Sequence, residues 1–301
     1  MELTGIFAPL TTPFAGGGVA LDRLAANLER YDRHGLAGYL VLGSTGEAAL
    51  LTAEERLAVL RAARAAIARE RTMIAGVGME STADTVRMAA AAAECGADAV
   101  LVVTPSYFRT QMTEAALLAH YIAVADASPL PVLLYNVPQF TGVVIPPAAV
   151  ERLAAHPNVA GLKDSAGDIG WLVDVLARVP PPFQVLCGAA GVIASALAAG
   201  AVGGILAIAD VLPEPCVALF RAHAAGRDGE ARALQRRLLP AVRLVAGRFG
   251  VAGVKAAMDE RGLAGGAPRP PLLPLAEADR AAVRSCLAAL VDCASLSALA
   301  L

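Results

Sequence analysis

Lysine is nearly missing from this chain. Of its 25 cationic side chains only Lys163 and Lys255 are lysines; the rest are arginines. Solvated faces here are built from arginine, so Lys163, set inside an apolar run, looks chosen, whereas Lys255, in the helix-like "GVKAAMDERG", reads as a surface or interface residue. An excess of one charge sign is missing too. The formal net charge is −2, with acidic and basic residues interspersed, leaving no basic stripe for a phosphate backbone and no charged tail. No nucleic-acid partner is expected. The five cysteines, Cys95, Cys187, Cys216, Cys286 and Cys293, form no C-x-x-C pair and sit in alanine-rich surroundings, so they read as reduced core residues of an intracellular protein. His34, His120, His156 and His223 show no H-x-x-H or H-E-x-x-H spacing, which argues against a metal site and places them as surface or capping residues. Neither G-x-G-x-x-G after a strand nor G-x-x-x-x-G-K-[ST] occurs, so dinucleotide and nucleoside triphosphate binding are not indicated. "MELTGIFAPLTTPF" lacks the basic and long apolar regions of a secretory signal and the Arg/Ser-rich character of a transit peptide. The expected location is cytoplasmic.

Charge is wholly absent from Val179 to Ala209, a length that could span a bilayer. Its punctuation argues against that. Pro180, Pro181 and Pro182, then Gly188, Gly191, Gly200 and the Gly203-Gly204 pair, divide it into strand, helix and strand. No membrane partner is expected.

What the chain does contain is an alternation of short β-branched runs with Ala/Leu-rich amphipathic stretches, the pattern of βα units around a parallel sheet. Strands are expected over 5–13, 38–44, 73–78, 99–105, 131–138, 159–165, 183–188 and 203–208. Helices are expected over 20–34, 52–69, 82–94, 113–127, 146–155, 168–178, 190–199 and 213–225. Thr52 before "AEER" forms a capping box, and Pro146-Pro147 opens the fifth helix. This count suits a (β/α)8 TIM barrel in residues 1–225, with a doubly wound sheet as the competing α/β architecture. Beyond "GRDGE" (226–230) no strand recurs; residues 226–301 read as a C-terminal helical region of two or three helices with an apolar tail, "CASLSALAL".

In such a barrel the site lies at the C-terminal ends of the strands. The unusual polar residues there include Ser44, Thr45, Tyr107, Tyr135, Lys163, Asp164 and Ser165. A lysine desolvated inside a barrel loses proton affinity and becomes an amine nucleophile able to form an iminium with a carbonyl compound. The plain alternative is a lysine at the rim or paired with Asp164. Tyr135 beside such an amine could shuttle the protons that iminium chemistry requires, or be a core aromatic. The "GSTGE" turn at 43–47 offers hydroxyls and backbone N–H groups to a small anion. Asp164 and Asp168 are better explained as loop or N-cap residues than as catalytic acids.

Together with "VVTPSYF" (102–108), "YNVPQFTG" (135–142), "GLKDSAGD" (161–168), "CGAAG" (187–191) and "GAVGGI" (200–205), these motifs resemble the dihydrodipicolinate synthase and N-acetylneuraminate lyase family of class I, Schiff-base aldolases, over nearly the whole chain. The resemblance implies that Lys163 forms the Schiff base with an α-keto acid and that Tyr135 is its proton shuttle. Ser44 would belong to a hydroxyl relay, and Tyr107 would complete the relay of a neighbouring subunit. It further implies that Thr45, Ser165, Gly188 and Ile205 contact substrate, that no cofactor is needed, and that the assembly is a homotetramer built as a dimer of dimers. Family members that make dihydrodipicolinate typically carry Y-N-x-P-x-R-T-G, whereas this chain has Phe140 in place of that arginine. Its likeness in "ESTADT" (80–85) and in 236–259 points to the 4-hydroxy-2-oxoglutarate aldolase branch. The expected reaction is therefore cleavage of 4-hydroxy-2-oxoglutarate to pyruvate and glyoxylate. The alternatives are condensation of pyruvate with aspartate semialdehyde, a keto-deoxy sugar acid aldolase or dehydratase, and, in another class, a catalytically silent barrel that senses a keto acid.

Overall fold

The computed structural model describes residues 2–291; the apolar tail at 293–301, and Cys293 with it, lie outside the described residues. Eight parallel strands close into a barrel: Gly5–Ala8, Gly38–Val41, Thr72–Gly76, Ala99–Val103, Val132–Asn136, Val159–Asp164, Gln184–Cys187 and Gly203–Ile205. Each pairs with its sequence neighbours, and the eighth returns to the first. The fold is a (β/α)8 TIM barrel, and the doubly wound alternative falls away.

Alternation along the strands divides the apolar residues into two sets. Leu133 and Tyr135 point into the barrel with Phe7, Leu40, Ile74, Leu101, Leu186 and Ile205, while Val132 and Leu134 face outward, where the second, larger core meets the helices. Between strands run the helices Leu21–Tyr31, Ala53–Ala66, Thr82–Glu94, Glu114–Ala127, Pro147–Ala154, Ile169–Arg178, Ile193–Ala199 and Pro213–Ala224. The capping box forms: Thr52 Oγ1 accepts from Glu55 N while Glu55 Oε2 accepts from Thr52 N. Pro147 takes the first position of its helix, where a missing N–H costs nothing. The charge-free stretch 179–209 folds as strand, helix and strand, and among the described residues no helix is long and apolar enough to cross a membrane.

The strands are shorter than their apolar runs suggest. The first leaves the ladder after Ala8 and the second after Val41, since the residues beyond turn outward as loops at the barrel's C-terminal end. A short helix, Pro138–Thr141, and a two-strand hairpin, Phe14–Ala15 with Gly18–Val19, were not legible in the sequence. After the barrel come Asp228–Ala241, Gly250–Glu260 and Glu277–Val291, with a π-helical stretch, Val242–Arg248, directly after the turn containing Pro240. Asp228–Ala241 packs on the last barrel helix, and Gly250–Glu260 on the 3₁₀ turn Ala207–Asp210.

Two expectations about single residues fail. Lys255 is not a surface residue: it is fully buried, because Glu47 Oε1 lies 2.5 Å from its Nζ and the ring of Phe14 lies 4.3 Å away. His120 is buried rather than at the surface. Its Nδ1 pairs with the Thr82 hydroxyl at 2.9 Å, its ring packs edge-on against Tyr121, and burial lowers its pKa. Cys95, Cys187 and Cys216 are buried free thiols, and Cys286 is half-buried.

Candidate active site

Strand register brings the central pair together. Tyr135 on strand five aligns with Lys163 on strand six, which aligns with Leu186 on strand seven. Since Tyr135 and Leu186 are both interior residues, Lys163 points into the barrel as well, and only 4% of it is exposed. Its Nζ stands over the tyrosine ring, 4.3 Å from the centroid, within the range of a cation–π contact. The Ser44 hydroxyl lies 3.4 Å from the Tyr135 hydroxyl.

Tyr135 is fully buried, which raises a phenol pKa. The charge of Lys163, with hydrogen bonds involving Ser44, Ser165 and Lys163, outweighs burial and leaves it below the ordinary value. Tyr135 is thus a phenol that gives up its proton more readily than a free tyrosine, held against an amine. That combination suits proton shuttling.

Gly188 closes the far side. A Cβ there would fall 2.0 Å from the Ser165 hydroxyl and 3.0 Å from Lys163 Cε, so glycine is what leaves room for the lysine and for whatever bonds to it. Beneath this layer, Asn136 and Asp164 face outward from the same strands. Asn136 Nδ2 donates to Asp164 Oδ1 at 2.7 Å, and Asn136 Oδ1 accepts from Ile145 N. Asp164 is therefore a buried strand-end acceptor rather than a loop residue, raised in pKa by burial against the lowering effect of Asn136. Asp168 caps its helix by accepting from Trp171 N.

The structure therefore gathers Ser44, Tyr135, Lys163, Ser165 and Gly188. Thr45 follows Ser44 on the same turn, half-buried. Ile205 is buried in the barrel interior on strand eight, aligned with Phe7. Tyr107 does not join the group: it is 80% exposed, edge-on to Phe108 at 5.0 Å. Glu80 fixes its loop, accepting from Ser106 N, Ser106 Oγ and Tyr107 N at 2.8–2.9 Å. Two buried carboxylates had no signal in the sequence. Glu47 belongs to the GSTGE turn. Asp210 is buried with neither oxygen hydrogen-bonded, and burial raises its pKa well above the usual range despite the opposing charge of Lys163. Among the described residues no three His, Cys, Asp or Glu side chains are grouped to hold a metal.

Comparison with known proteins agrees with this architecture. The model of the dihydrodipicolinate synthetase family matches residues 2–290. The chain is 39% identical over 286 residues to 4-hydroxy-tetrahydrodipicolinate synthase of Exiguobacterium sp. strain AT1b, covering 94% of this chain and 97% of that one. It superposes on the 4-hydroxy-tetrahydrodipicolinate synthase of Methylacidiphilum fumariolicum SolV with a TM-score of 0.94, at 29% identity and 99% coverage of both chains. On the chloride-inhibited dihydrodipicolinate synthase of Acinetobacter baumannii, solved with pyruvate, the TM-score is 0.92 at 30% identity, covering 96% of this chain and 99% of that one. The barrel, its inward lysine and tyrosine, and a match along almost the whole chain agree: this protein belongs to the dihydrodipicolinate synthetase family of class I, pyruvate-dependent lyases.

Proposed function

We propose that Lys163 forms a Schiff base with pyruvate and that the resulting enamine is joined to aspartate semialdehyde, the reaction of a 4-hydroxy-tetrahydrodipicolinate synthase. The observation that carries this reading is the buried Lys163 amine held over Tyr135, whose hydroxyl meets Ser44. Lys163 Nζ adds to C2 of pyruvate and water leaves, giving an iminium; loss of a C3 proton gives the enamine. The enamine carbon then bonds to the aldehyde carbon, whose oxygen takes up a proton. The amino group of the second substrate displaces Lys163 from C2 and closes the ring. Tyr135, with Ser44, carries the protons. Thr45 and the turn's N–H groups receive the pyruvate carboxylate, and Ser165, Gly188 and Ile205 shape the pocket.

Relatives with that name at this identity favour condensation. Arg109 offers a cation to the second carboxylate in either reaction: a Cβ at Gly142 would lie 3.3 Å from its Cδ and 3.5 Å from Nη1, so a guanidinium borders the loop that carries Phe140. Phe140, 68% exposed where members that make dihydrodipicolinate typically carry arginine, favours a second reading, cleavage of 4-hydroxy-2-oxoglutarate. In that case the same iminium accepts the electrons of the C3–C4 bond, and glyoxylate leaves.

Tyr107, Phe108 and Phe140 are exposed aromatics on the loops after two adjacent strands. They support a homotetramer in which Tyr107 of a second copy reaches the relay. Residues 1–225 are then the catalytic barrel, and from 226 onward a C-terminal helical region follows, whose described part to residue 291 braces the barrel.

Assaying purified protein with pyruvate and aspartate semialdehyde beside 4-hydroxy-2-oxoglutarate tests the reading. Faster condensation is expected, and faster cleavage would transfer the assignment to the second reading. Borohydride with pyruvate should fix ligand mass on the peptide carrying Lys163, and a label elsewhere or none would remove the Schiff base altogether.

A further inference from the structure

The second of the two lysines is spent on a carboxylate that no step of the reaction uses. Among the described residues, Leu42 and Glu47 are the two non-glycine residues with positive φ, at 61° and 54°, and they bracket the turn that carries Ser44 and Thr45. A side chain with a Cβ disfavours that conformation, so surrounding contacts must hold it. At Glu47 those contacts come from the far end of the chain. Its Oε1 lies 2.5 Å from Lys255 Nζ, and its Oε2 accepts from Arg269 N at 2.7 Å. Both side chains of the ion pair are fully buried. Lys255 also donates to Ala267 O at 3.2 Å and stands over Phe14. From the other side, Thr12 Oγ1 donates to Gly46 O at 2.7 Å.

Glu47 N in turn donates to Ser44 O at 3.1 Å, and the Ser44 hydroxyl meets Tyr135. A continuous series of contacts therefore runs from Lys255 through Glu47 and Ser44 to Tyr135 and Lys163. Burying two charges is costly, and a well-packed apolar pair would serve stability as well. What an apolar pair lacks is direction: the carboxylate fixes where residue 47 sits, and with it the turn.

We propose that Lys255 and Glu47 are positioning residues of the active site, the buried pair setting the conformation of residues 43–47 and so the place of the Ser44 hydroxyl and of the backbone N–H groups that receive the substrate carboxylate. This rests on Lys163 being the Schiff-base lysine. Neither Lys255 nor Glu47 touches substrate; both act through the turn.

The test measures the pyruvate concentration that half-saturates borohydride labelling of Lys163, together with KM for each substrate and kcat. Three variants are compared: Lys255→Met, Glu47→Gln, and the double variant, which leaves no unpaired buried charge and keeps the chain folded if Lys255→Met alone does not. In a variant that unfolds cooperatively, half-saturating pyruvate and KM for pyruvate should rise about tenfold or more. KM for the second substrate should stay unchanged, a split that general loss of folded protein does not produce. Folded variants with wild-type half-saturation overturn the positioning role alone. Absence of label on Lys163 in the wild-type protein overturns the Schiff-base reading and this proposal with it.

Discussion

Tyr135 and Lys163 are cross-strand partners, aligned on strands five and six, with the lysine Nζ 4.3 Å from the centre of the tyrosine ring. Register makes this pairing durable: slipping either strand by one residue would turn its side chain out of the barrel. On the proposed function the ring and the hydroxyl have separable roles, the ring packing under the amine and the hydroxyl moving protons. Tyr135→Phe keeps the first and deletes the second. Turnover should fall by about 10²–10⁴-fold, while borohydride still fixes pyruvate on Lys163, more slowly. An unchanged turnover would falsify the shuttle.

Titration offers an independent reading of the same hydroxyl. Burial pushes Tyr31, Tyr39 and Tyr121 up, whereas at Tyr135 the opposing charge and hydrogen bonds outweigh burial and bring it down. As pH rises, a tyrosinate absorbance step should therefore begin below the ordinary phenol pKa of about 10 and vanish in Tyr135→Phe. The sign for stability follows. Between the folded pKa of Tyr135 and about 10, the folded state has released a proton that the unfolded chain retains, so stability rises with pH through that window. The variant should lose that rise.

The fold and the centre of the site were legible because their signals are local. Period-2 and period-3.6 patterns located eight strands and their helices, and a lysine inside an apolar strand is conspicuous wherever lysine is scarce. The resemblance placed Tyr135, Ser44, Ser165 and Gly188 about it. Lys255 was misread for the opposite reason. Its partner Glu47 lies more than 200 residues earlier, and nothing in "GVKAAMDERG" reveals that this face packs on an acidic turn. His120 was misread similarly, its partner Thr82 lying on the preceding helix. Asp210 carries no sequence signal, since only the closed fold removes it from water.

Arg109 tests whether a guanidinium still serves the second carboxylate in the absence of an arginine at position 140. Its guanidinium borders Gly142, on the loop where Phe140 stands in place of the arginine typical of family members that make dihydrodipicolinate. If the second substrate brings a carboxylate there, Arg109→Ala removes a charge-assisted contact of about 1.5–3 kcal/mol. KM for aspartate semialdehyde should rise correspondingly, by roughly ten- to a hundredfold, with pyruvate labelling of Lys163 unaltered. Equal KM values in wild type and variant would detach Arg109 from recognition of the second substrate.

Gly188 supplies the most direct test of the site's shape. The glycine has no side chain to take part in the chemistry, yet a single methyl group there would overlap the Ser165 hydroxyl at 2.0 Å and crowd Lys163 Cε at 3.0 Å. The serine can rotate away, but the lysine has less freedom, being enclosed by Tyr135 and the strand-seven backbone. Gly188→Ala should therefore fold, with a small loss of thermal stability, and lose activity by about 10²-fold, the scale for displacing a reacting group by about 1 Å. Pairing it with Ser165→Ala separates the two collisions. If the clash with Ser165 alone is responsible, the double variant regains most of the lost rate relative to Ser165→Ala. If displacement of Lys163 is responsible, as the 3.0 Å approach implies, the double variant stays slow, and labelling by pyruvate and borohydride slows in proportion.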